Sequence, residues 1–298
     1  MFSDNVYYGH RYIFSKYCKT KNLNCFASIQ HGIMSLPQER NLGKRRFIFA
    51  PFLTWNKRVE KNAKKKNIPS VTAIGAPFIY LDKMIKKKIK VCKGTLVFPS
   101  KSTIDKSRNI NNLELIKETE RSFPGPYSIC IYYLDLNKDW KIFKKKGWKI
   151  YTCGNKKSEK FLYKLHKLLS THDNVVCTSI NTSLFYSMYM KKNFKLVMNK
   201  SDKKKAKKIV FQNKVDDKLQ LETKNFYEKK YPGFIKNKLT KIQRFELAKN
   251  ELGYSCMKSP EEIYNILGWN NIFKKLLAKI FNFYFLFRIY KDGNITSN

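Results

Sequence analysis

The chain has 298 residues, of which 43% are hydrophobic and 15% aromatic, so it can bury one large or two modest cores and is not expected to be disordered over most of its length. Its formal net charge is +39, which attracts polyanions such as nucleic acid, anionic lipid or phosphorylated substrates. Lysine far outnumbers arginine, and the abundance of Lys, Asn, Ile, Tyr and Phe is typical of an AT-rich genome, so we assign part of the charge to that bias.

The first ninety residues alternate between helix-like and strand-like patterns. Helices are predicted at 12–21 and 56–66, strands at 24–29, 47–51 and 70–74, and a basic connector at 84–93. Alternating strands and helices indicate a parallel α/β sheet. We therefore expect residues 1–90 to form a reduced N-terminal α/β domain.

A second alternating set begins at Gly94. Strands are predicted at 95–98, 127–134, 148–152, 175–176 and 194–198, and helices at 112–121, 138–146, 159–170 and from 184 onward. About five parallel strands make a complete doubly wound domain, which we assign to residues 91–200.

The turn between Val176 and Leu184 is the most informative segment. It is rich in hydroxyl and amide side chains: Thr178, Ser179, Asn181, Thr182 and Ser183. At the start of a helix these groups and the free backbone N–H groups favour an anion such as a nucleotide phosphate. The same residue types are also the preferred N-caps of an ordinary helix, and the segment alone leaves both interpretations open.

Residues 201–298 differ in character from the two α/β halves. A lysine-rich loop is predicted at 199–208, a helix at 234–253, and a helix start at Ser259-Pro260-Glu261-Glu262. In the tail, 272–291, apolar residues fall largely on one side and lysines elsewhere, a pattern typical of a helix lying on an anionic membrane. The alternative is a terminal helix that packs on the sheet.

Cysteine usage and the N-terminus bear on location. The seven cysteines are scattered, odd in number and without CxxC spacing, which favours a reducing compartment over a disulfide scaffold. The N-terminus lacks the layout of a secretion signal, and no apolar run approaches the ~20 residues of a membrane span. We expect a cytoplasmic protein, peripheral on the inner face of the cell membrane.

Polar clusters follow the predicted strands, where ligands of open α/β sheets bind. The candidate residues are His31, Ser100, Lys101, Ser102, Thr103, Gly154, Ser179, Asn181, Thr182 and Ser183. His31, between a strand and a glycine, is a candidate general base or phosphate ligand, or a structural loop histidine; Glu39 is the nearest carboxylate and a second candidate base.

The sequence lacks the motifs of several common cofactor-binding, metal-binding and nucleophilic sites. GxGxxG after a strand, GxxxxGK[ST], a DxD pair, GxSxG and zinc-ligand spacing are all absent from the sequence. We therefore expect neither a resident cofactor nor a metal.

Taken together, these segments resemble bacterial nucleotide-sugar-dependent glycosyltransferases of the GT-B fold, of the kind that build capsule and lipopolysaccharide. The resemblance spans about residues 5–269 and rests on Gln30-His31-Gly32, Gly94 to Ser100, Thr152-Cys153-Gly154, Thr178 to Tyr186, Glu251-Leu252-Gly253 and Lys258 to Trp269. It implies two Rossmann-like parallel-sheet domains facing each other across a cleft, followed by C-terminal helices. The first domain has only about three predicted strands, so we expect it to be N-terminally short relative to that family.

The resemblance also implies roles for the candidate residues. The residues that would line the site of the nucleotide-sugar donor are Ser100, Ser102, Thr103, Gly154, Ser179, Asn181, Thr182 and Ser183. Lys101, where His is expected, would neutralise a phosphate. His31 and Glu39 would face a polysaccharide or lipid-linked acceptor, and no metal would be required. The alternatives are a non-catalytic, decayed paralogue or a basic nucleic-acid-binding protein, although the sequence has no recognised nucleic-acid motif.

Overall fold

A computed structural model describes residues 7–34, 51–68, 70–85, 92–99, 112–136, 140–197 and 211–280, without the side chains of 211–220. Within those ranges the chain folds as an α/β protein with two parallel sheets, one of three strands and one of five. The predicted α/β class with parallel sheets is therefore confirmed.

The first sheet is small and carries three helices. Its strands are β1 (Ser28–Ile29), β2 (Phe52–Thr54) and β3 (Val71–Ala73), in that spatial order, and its helices are α1 (His10–Tyr17), α2 (Lys57–Lys64) and α3 (Pro77–Met84). Ser28 pairs with Phe52, and Phe52 with Val71, in parallel register. All three β2 residues are buried, as expected of a central strand covered on both faces.

The second sheet has the strand order β6-β5-β4-β7-β8. Its strands are β4 (Thr95–Phe98), β5 (Tyr127–Cys130), β6 (Lys149–Tyr151), β7 (Asn174–Cys177) and β8 (Asn193–Leu196). Its helices are α4 (Asn112–Ser122), α5 (Lys141–Lys145), α6 (Phe161–Thr171) and α7 (Thr182–Tyr189). Numbered in chain order within this sheet, the strands lie side by side as third, second, first, fourth and fifth, which is a strand order of doubly wound α/β sheets. Its switch point, where the order reverses, lies between β4 and β7.

The C-terminal helices return to the first sheet. They are α8 (Phe211–Lys230), α9 (Lys241–Leu252), α10 (Pro260–Ile266) and α11 (272–280). The backbone N–H of Ala76 donates to the carbonyl oxygen of Leu252 at 2.8 Å, and a Cβ on Gly253 would collide with the carbonyl oxygen of Trp55. This lack of space and the φ of +68° at residue 253 both require glycine.

One apolar core joins these parts. It contains buried side chains from the first sheet (Leu53), the second sheet (Val175) and the C-terminal helices (Leu252). The ring of Phe78 on α3 stacks on Tyr186 of α7 at a centroid distance of 4.0 Å. Along the chain, the predicted boundaries near residues 90 and 200 separate the first sheet, the second sheet and the C-terminal helices. In space, these three parts share one apolar core.

The structure differs from several predicted elements. The strand predicted at 47–51 lies almost wholly outside the described residues, and β2 follows it at Phe52–Thr54. The segment from Pro77, for which no element was predicted, is the buried helix α3, because proline is well tolerated in the first turn of a helix. The helix predicted at 234–253 begins at Lys241, since Thr240 and Gln243 form a capping box.

Candidate functional site

A cavity of about 410 Å³ lies where the carboxyl ends of the two sheets meet. Each contributing strand adds a residue from the loop that follows it: His31 after β1, Pro99 after β4, Tyr132 after β5, Gly154 after β6 and Asn181 after β7. In open α/β sheets this edge is where ligands bind.

On the first-sheet side, the Gln30 side chain holds the loop that presents His31. The Gln30 Oε1 atom accepts hydrogen bonds from the Thr54 hydroxyl at 2.6 Å and the Trp55 backbone N–H at 3.0 Å. Its Nε2 donates to the Gly32 carbonyl oxygen at 2.7 Å. Because Gln30 is buried and its amide is bonded at both ends, the half-buried His31 sits on a fixed loop at the cavity wall.

On the second-sheet side, helix α7 points its N-terminus at the cavity. The Asn181 Oδ1 atom accepts from the backbone N–H of Leu184 at 3.1 Å, so Asn181 is an ordinary N-cap. Asn181, Thr182 and Ser183 nevertheless all line the cavity. The geometry is therefore compatible with both interpretations that the sequence left open, an ordinary helix N-cap and an anion-binding site. Asn181 caps the helix, and the partial positive charge of the helix N-terminus faces the cavity.

The loop after β6 brings a cation close to the same space. Gly154 has a φ of +84°, and its N–H donates to the Thr152 hydroxyl at 3.0 Å. A Cβ placed on Gly154 would lie 3.8 Å from the Nζ atom of Lys164. Lys164, on the first turn of α6, thus supplies a positive charge at the edge of the cavity.

Aromatic side chains form one end of the cavity. Tyr8 and Phe161 lie edge to face at 4.8 Å, and Tyr132 lines the wall beside them. Burial and the neighbouring phenols of Tyr8 and Tyr133 raise the pKa of Tyr132, so its hydroxyl stays neutral. This end offers ring faces and neutral hydroxyls to a ligand.

The electrostatics of the wall favour a neutral or anionic ligand. Among the described residues that line the cavity there is no Asp or Glu, and His31 is the only side chain whose ordinary pKa lies near neutral. Behind this wall lies the fully buried His10, whose pKa is lowered to about 3 by burial and by the nearby His31. His10 is therefore neutral at physiological pH.

The structure brings the described candidates together. His31, Gly154, Ser179, Asn181, Thr182 and Ser183 all line this one cavity. Glu39, Ser100, Lys101, Ser102 and Thr103 lie outside the described residues, although Phe98 and Pro99, which directly precede Ser100, are part of the wall. The common location is a finding, whereas the role of each residue stays a prediction.

Sequence reasoning gave no role in the site to four contributors: Tyr8, Gln30, Tyr132 and Lys164. Gln30 was visible as a polar residue at a strand end, but its side-chain bonds to Thr54 and Trp55 join positions 24 and 25 residues apart. Tyr8 reaches the cavity because its N–H donates to the carbonyl oxygen of Lys156, which ties the N-terminal segment to the second half. No local sequence pattern predicts such a contact between the N-terminal segment and the second half.

Known proteins add nothing to this description, since no protein family, curated protein or solved structure shows significant similarity to the chain. Within the described residues, no three His, Cys, Asp or Glu side chains cluster as metal ligands would. None of the described helices combines the length and apolarity needed to traverse a bilayer.

Proposed function

We propose that the protein is a GT-B-like glycosyltransferase, which moves a sugar from a nucleotide-activated donor to a growing surface polysaccharide or lipid-linked acceptor. One observation carries the proposal: a single cavity is enclosed by the carboxyl edges of two parallel sheets, with His31 on one side and the N-terminus of α7 on the other. Two facing sheets of this kind suit a reaction between two substrates, one held by each half.

The donor nucleotide fits the second-sheet side. Its phosphates would bind at Thr182 and Ser183, where the first backbone N–H groups of α7 have no partner within the helix. Strands β7, β4 and β5 are neighbours, so two steps of about 4.8 Å, or about 10 Å, separate this point from the end of β5 at Tyr132. That span is comparable to the length of a nucleotide, so the base or its ribose would reach the aromatic end.

The proposed chemistry needs a base and a way to stabilise the leaving group. A neutral His31 would take the proton from the acceptor hydroxyl as that oxygen attacks the sugar carbon, with Glu39 as the second candidate. Helix α7, Lys164 and Lys101 would stabilise the nucleotide phosphate as it leaves, so the proposal requires no metal.

A lipid-linked acceptor would explain the C-terminal tail. Helix α11 exposes Ile272, Phe273, Leu276 and Ile280, and Lys274, Lys275 and Lys279 lie among them. We propose that this surface, within the tail predicted at 272–291, lies on an anionic membrane and brings the cavity to its acceptor.

Binding of free nucleotides tests the proposal. UDP, GDP, CMP and ADP are screened by thermal shift, because a ligand that binds only the folded state raises the melting temperature. One nucleotide is expected to raise it, and Ser183→Ala is expected to weaken that effect. Ser255→Ala, an exposed serine outside the cavity, is the matched control. If no nucleotide or nucleotide-sugar shifts the melting temperature at millimolar concentration, the donor site is wrong.

One surface favours the second candidate, binding of nucleic acid. Lys191 and Lys249 lie over the Phe245 ring at 4.6 and 5.3 Å, and Lys83 and Lys249 lie over Tyr254 at 5.5 and 5.4 Å. Lysines interleaved with aromatic rings suit single-stranded nucleic acid. Fluorescence anisotropy with a labelled oligonucleotide distinguishes the two: binding that falls with salt and is lost in Phe245→Ala would favour this function.

A further inference from the structure

Two cysteines form part of the cavity wall. Cys130, the last residue of β5, and Cys153, two residues after β6, both line the cavity, and their Sγ atoms lie 3.8 Å apart. All seven cysteines are in the described part of the chain and all are free thiols. Neither thiol has a role in the proposed transfer reaction.

The side chains of these two thiols meet across neighbouring strands. Strands β5 and β6 are parallel, with Cys130 in register with Tyr151, so Cys153, two residues further along, is a diagonal neighbour of Cys130. Diagonal neighbours lie about 7–8 Å apart, beyond the roughly 4.4–6.8 Å between the Cα atoms of a disulfide, so the backbone at Cys153 must move toward β5 before the bond can form. The sulfur atoms must approach by about 1.8 Å to reach a bonding distance of about 2.04 Å. Cys153 lies beyond the end of its strand, beside the turn at Gly154, where the backbone can adjust.

The cavity gives a small oxidant access to the pair. Cys130, Cys153 and Cys177 are all buried in the same apolar core, but Cys130 and Cys153 keep 9% and 4% of their surface and line the space of about 410 Å³, whereas Cys177, at the end of β7, does not line it. Lys164 lies on the same side, but its charge offsets only part of the effect of the hydrogen bond to Cys130 and of burial, which raise the pKa of the Cys153 thiol. Access to a peroxide from the cavity thus distinguishes the pair from Cys177.

We propose that Cys130 and Cys153 are a reversible oxidation site, at which a hydroperoxide converts the two thiols into a disulfide in the wall of the cavity. One thiolate attacks the peroxide oxygen and becomes a sulfenic acid, releasing water once a proton is taken up. The second thiol displaces the sulfenic hydroxyl as water, which forms the S–S bond. In total, two thiols and one hydrogen peroxide give one disulfide and two waters, and a dithiol reductant reverses the step.

The reaction is expected to be slow at neutral pH and faster in base. The hydrogen bond to Cys130 and burial both raise the pKa of the Cys153 thiol, so little thiolate is present at pH 7. The proposed site is therefore one that responds to sustained oxidant rather than to a brief pulse.

Oxidation would also change ligand binding. Drawing Cys153 toward β5 shifts the neighbouring Gly154 loop, which lines the cavity. If the cavity binds a nucleotide, a consequence that rests on the proposed function, we expect its affinity to fall about tenfold on oxidation, equivalent to about 1.4 kcal/mol.

Mass spectrometry tests the disulfide directly. The full-length protein is treated with hydrogen peroxide at pH 8.5, denatured, alkylated and digested without reduction. We expect a Cys130–Cys153 crosslinked peptide pair, 2 Da lighter than the two thiol peptides together, which disappears with dithiothreitol and is absent in Cys130→Ser. Cys92→Ser, at a half-buried thiol outside the cavity, is the matched control and should keep the crosslink.

Two results would overturn the proposal. One is recovery of Cys130 and Cys153 as alkylated thiols after peroxide has oxidised the partly exposed Cys18 and Cys92. The other is pairing of either residue mainly with a different cysteine. Both are read on the wild-type chain, so they do not depend on a variant that folds. Failure of all nucleotides to bind the reduced protein would instead count against the proposed function, while the crosslink result would stand.

Discussion

The hydroxyl of Thr182 accepts a hydrogen bond from the backbone N–H of Ile33 at 3.1 Å. This bond links the first residue of α7, on the second sheet, to the loop after β1, on the first sheet, and both residues line the cavity. The hydroxyl that was expected to bind a phosphate thus already holds the two halves together. A substitution at Thr182 therefore tests the fold as well as ligand binding.

Thr182→Val is expected to lower the free energy of unfolding by about 1–3 kcal/mol, because the Ile33 N–H loses its acceptor in a part-buried site. Thr182→Ser keeps the hydroxyl and is the control. Urea denaturation followed by circular dichroism measures both. Equal stability of the valine and serine variants would show that the bond contributes nothing measurable.

Thr182→Ala with Ser183→Ala is expected to abolish nucleotide binding, since it removes both hydroxyls at the proposed phosphate site. Ser183→Ala alone separates binding from the contact that Thr182 makes with Ile33. Isothermal titration with the nucleotide that gives the largest thermal shift is the measurement. Unchanged affinity in the folded double variant would reject this turn as the donor site.

His31→Ala is expected to reduce the transfer rate by about 10²–10⁴-fold, the usual contribution of a positioned general base. The melting temperature should change little, because His31 is only half-buried and Gln30 holds its loop. Rate and melting temperature are measured on the same preparation. A large drop in melting temperature with full activity per folded molecule would instead make His31 a structural histidine.

His10 should make the protein sensitive to mild acid. Its folded-state pKa is lowered from 6.5 to about 3, and neither ring nitrogen has a hydrogen-bond partner among the described residues. Below pH 6.5 the unfolded chain binds a proton that the folded chain does not, so the free energy of unfolding falls by up to about 1.4 kcal/mol per pH unit. Burial also lowers the pKa of His172, so this histidine likewise reduces the free energy of unfolding as the pH falls.

His10→Leu should make this dependence shallower between pH 6.5 and 5, leaving the smaller part due to His172, in a range where carboxylates still contribute little. Denaturation curves at half-unit steps of pH measure the slope in each protein. An identical slope in the variant would show that His10 is not the titrating group.

Glu251→Ala is expected to cost about 3 kcal/mol, because it removes the buried carboxylate that neutralises the guanidinium of Arg58, whose side chain is only 20% exposed. The Glu251 carboxylate, 2% exposed, lies 2.7 Å from the Arg58 guanidinium and 3.5 Å from the Lys230 ammonium, and so ties α9 to α2 and α8. Glu246→Ala, on the same helix but in an exposed pair with Lys249, should change stability by less than about 1 kcal/mol. Similar losses in chemical denaturation of the two variants would contradict the assigned role of the buried pair.

Local sequence patterns were enough to predict the strands of the second sheet and the turn that faces the cavity. Strand 95–98 was placed at its observed bounds because four apolar or β-branched residues stand between a glycine and a proline. Helix α8, from Phe211 to Lys230, was missed because its sequence is polar and lysine-rich and lacks a continuous apolar stripe. Its place in the fold depends on distant partners such as the contact of Lys230 with Glu251, which no local window contains.

The same limit applies to the site. Strand ends indicated His31 and the 179–183 turn because parallel strands deliver their loops to one edge. The bond between Thr182 and Ile33 spans 149 residues, and the Cys130–Cys153 contact depends on which strands are neighbours. These contacts follow from the topology, so they could not be deduced before the sheet order was known.

The last prediction concerns membrane binding by helix α11. Ile272 and Phe273 are 83% and 67% exposed, and burying such side chains among lipid headgroups, with roughly 1 kcal/mol from each nearby lysine, would hold the protein on an anionic surface. The full-length chain should sediment with phosphatidylglycerol-containing vesicles, less so at high salt, and a chain that ends at Asn271 should stay in solution.

The triple variant Ile272→Ser, Phe273→Ser, Leu276→Ser should also lose membrane binding without unfolding. Ile242→Ser, which removes a 76% exposed isoleucine from α9, is the matched control and should bind normally. Undiminished sedimentation of the truncated chain would show that the tail is not the anchor, and unfolding of that chain would show instead that α11 is a packed terminal helix.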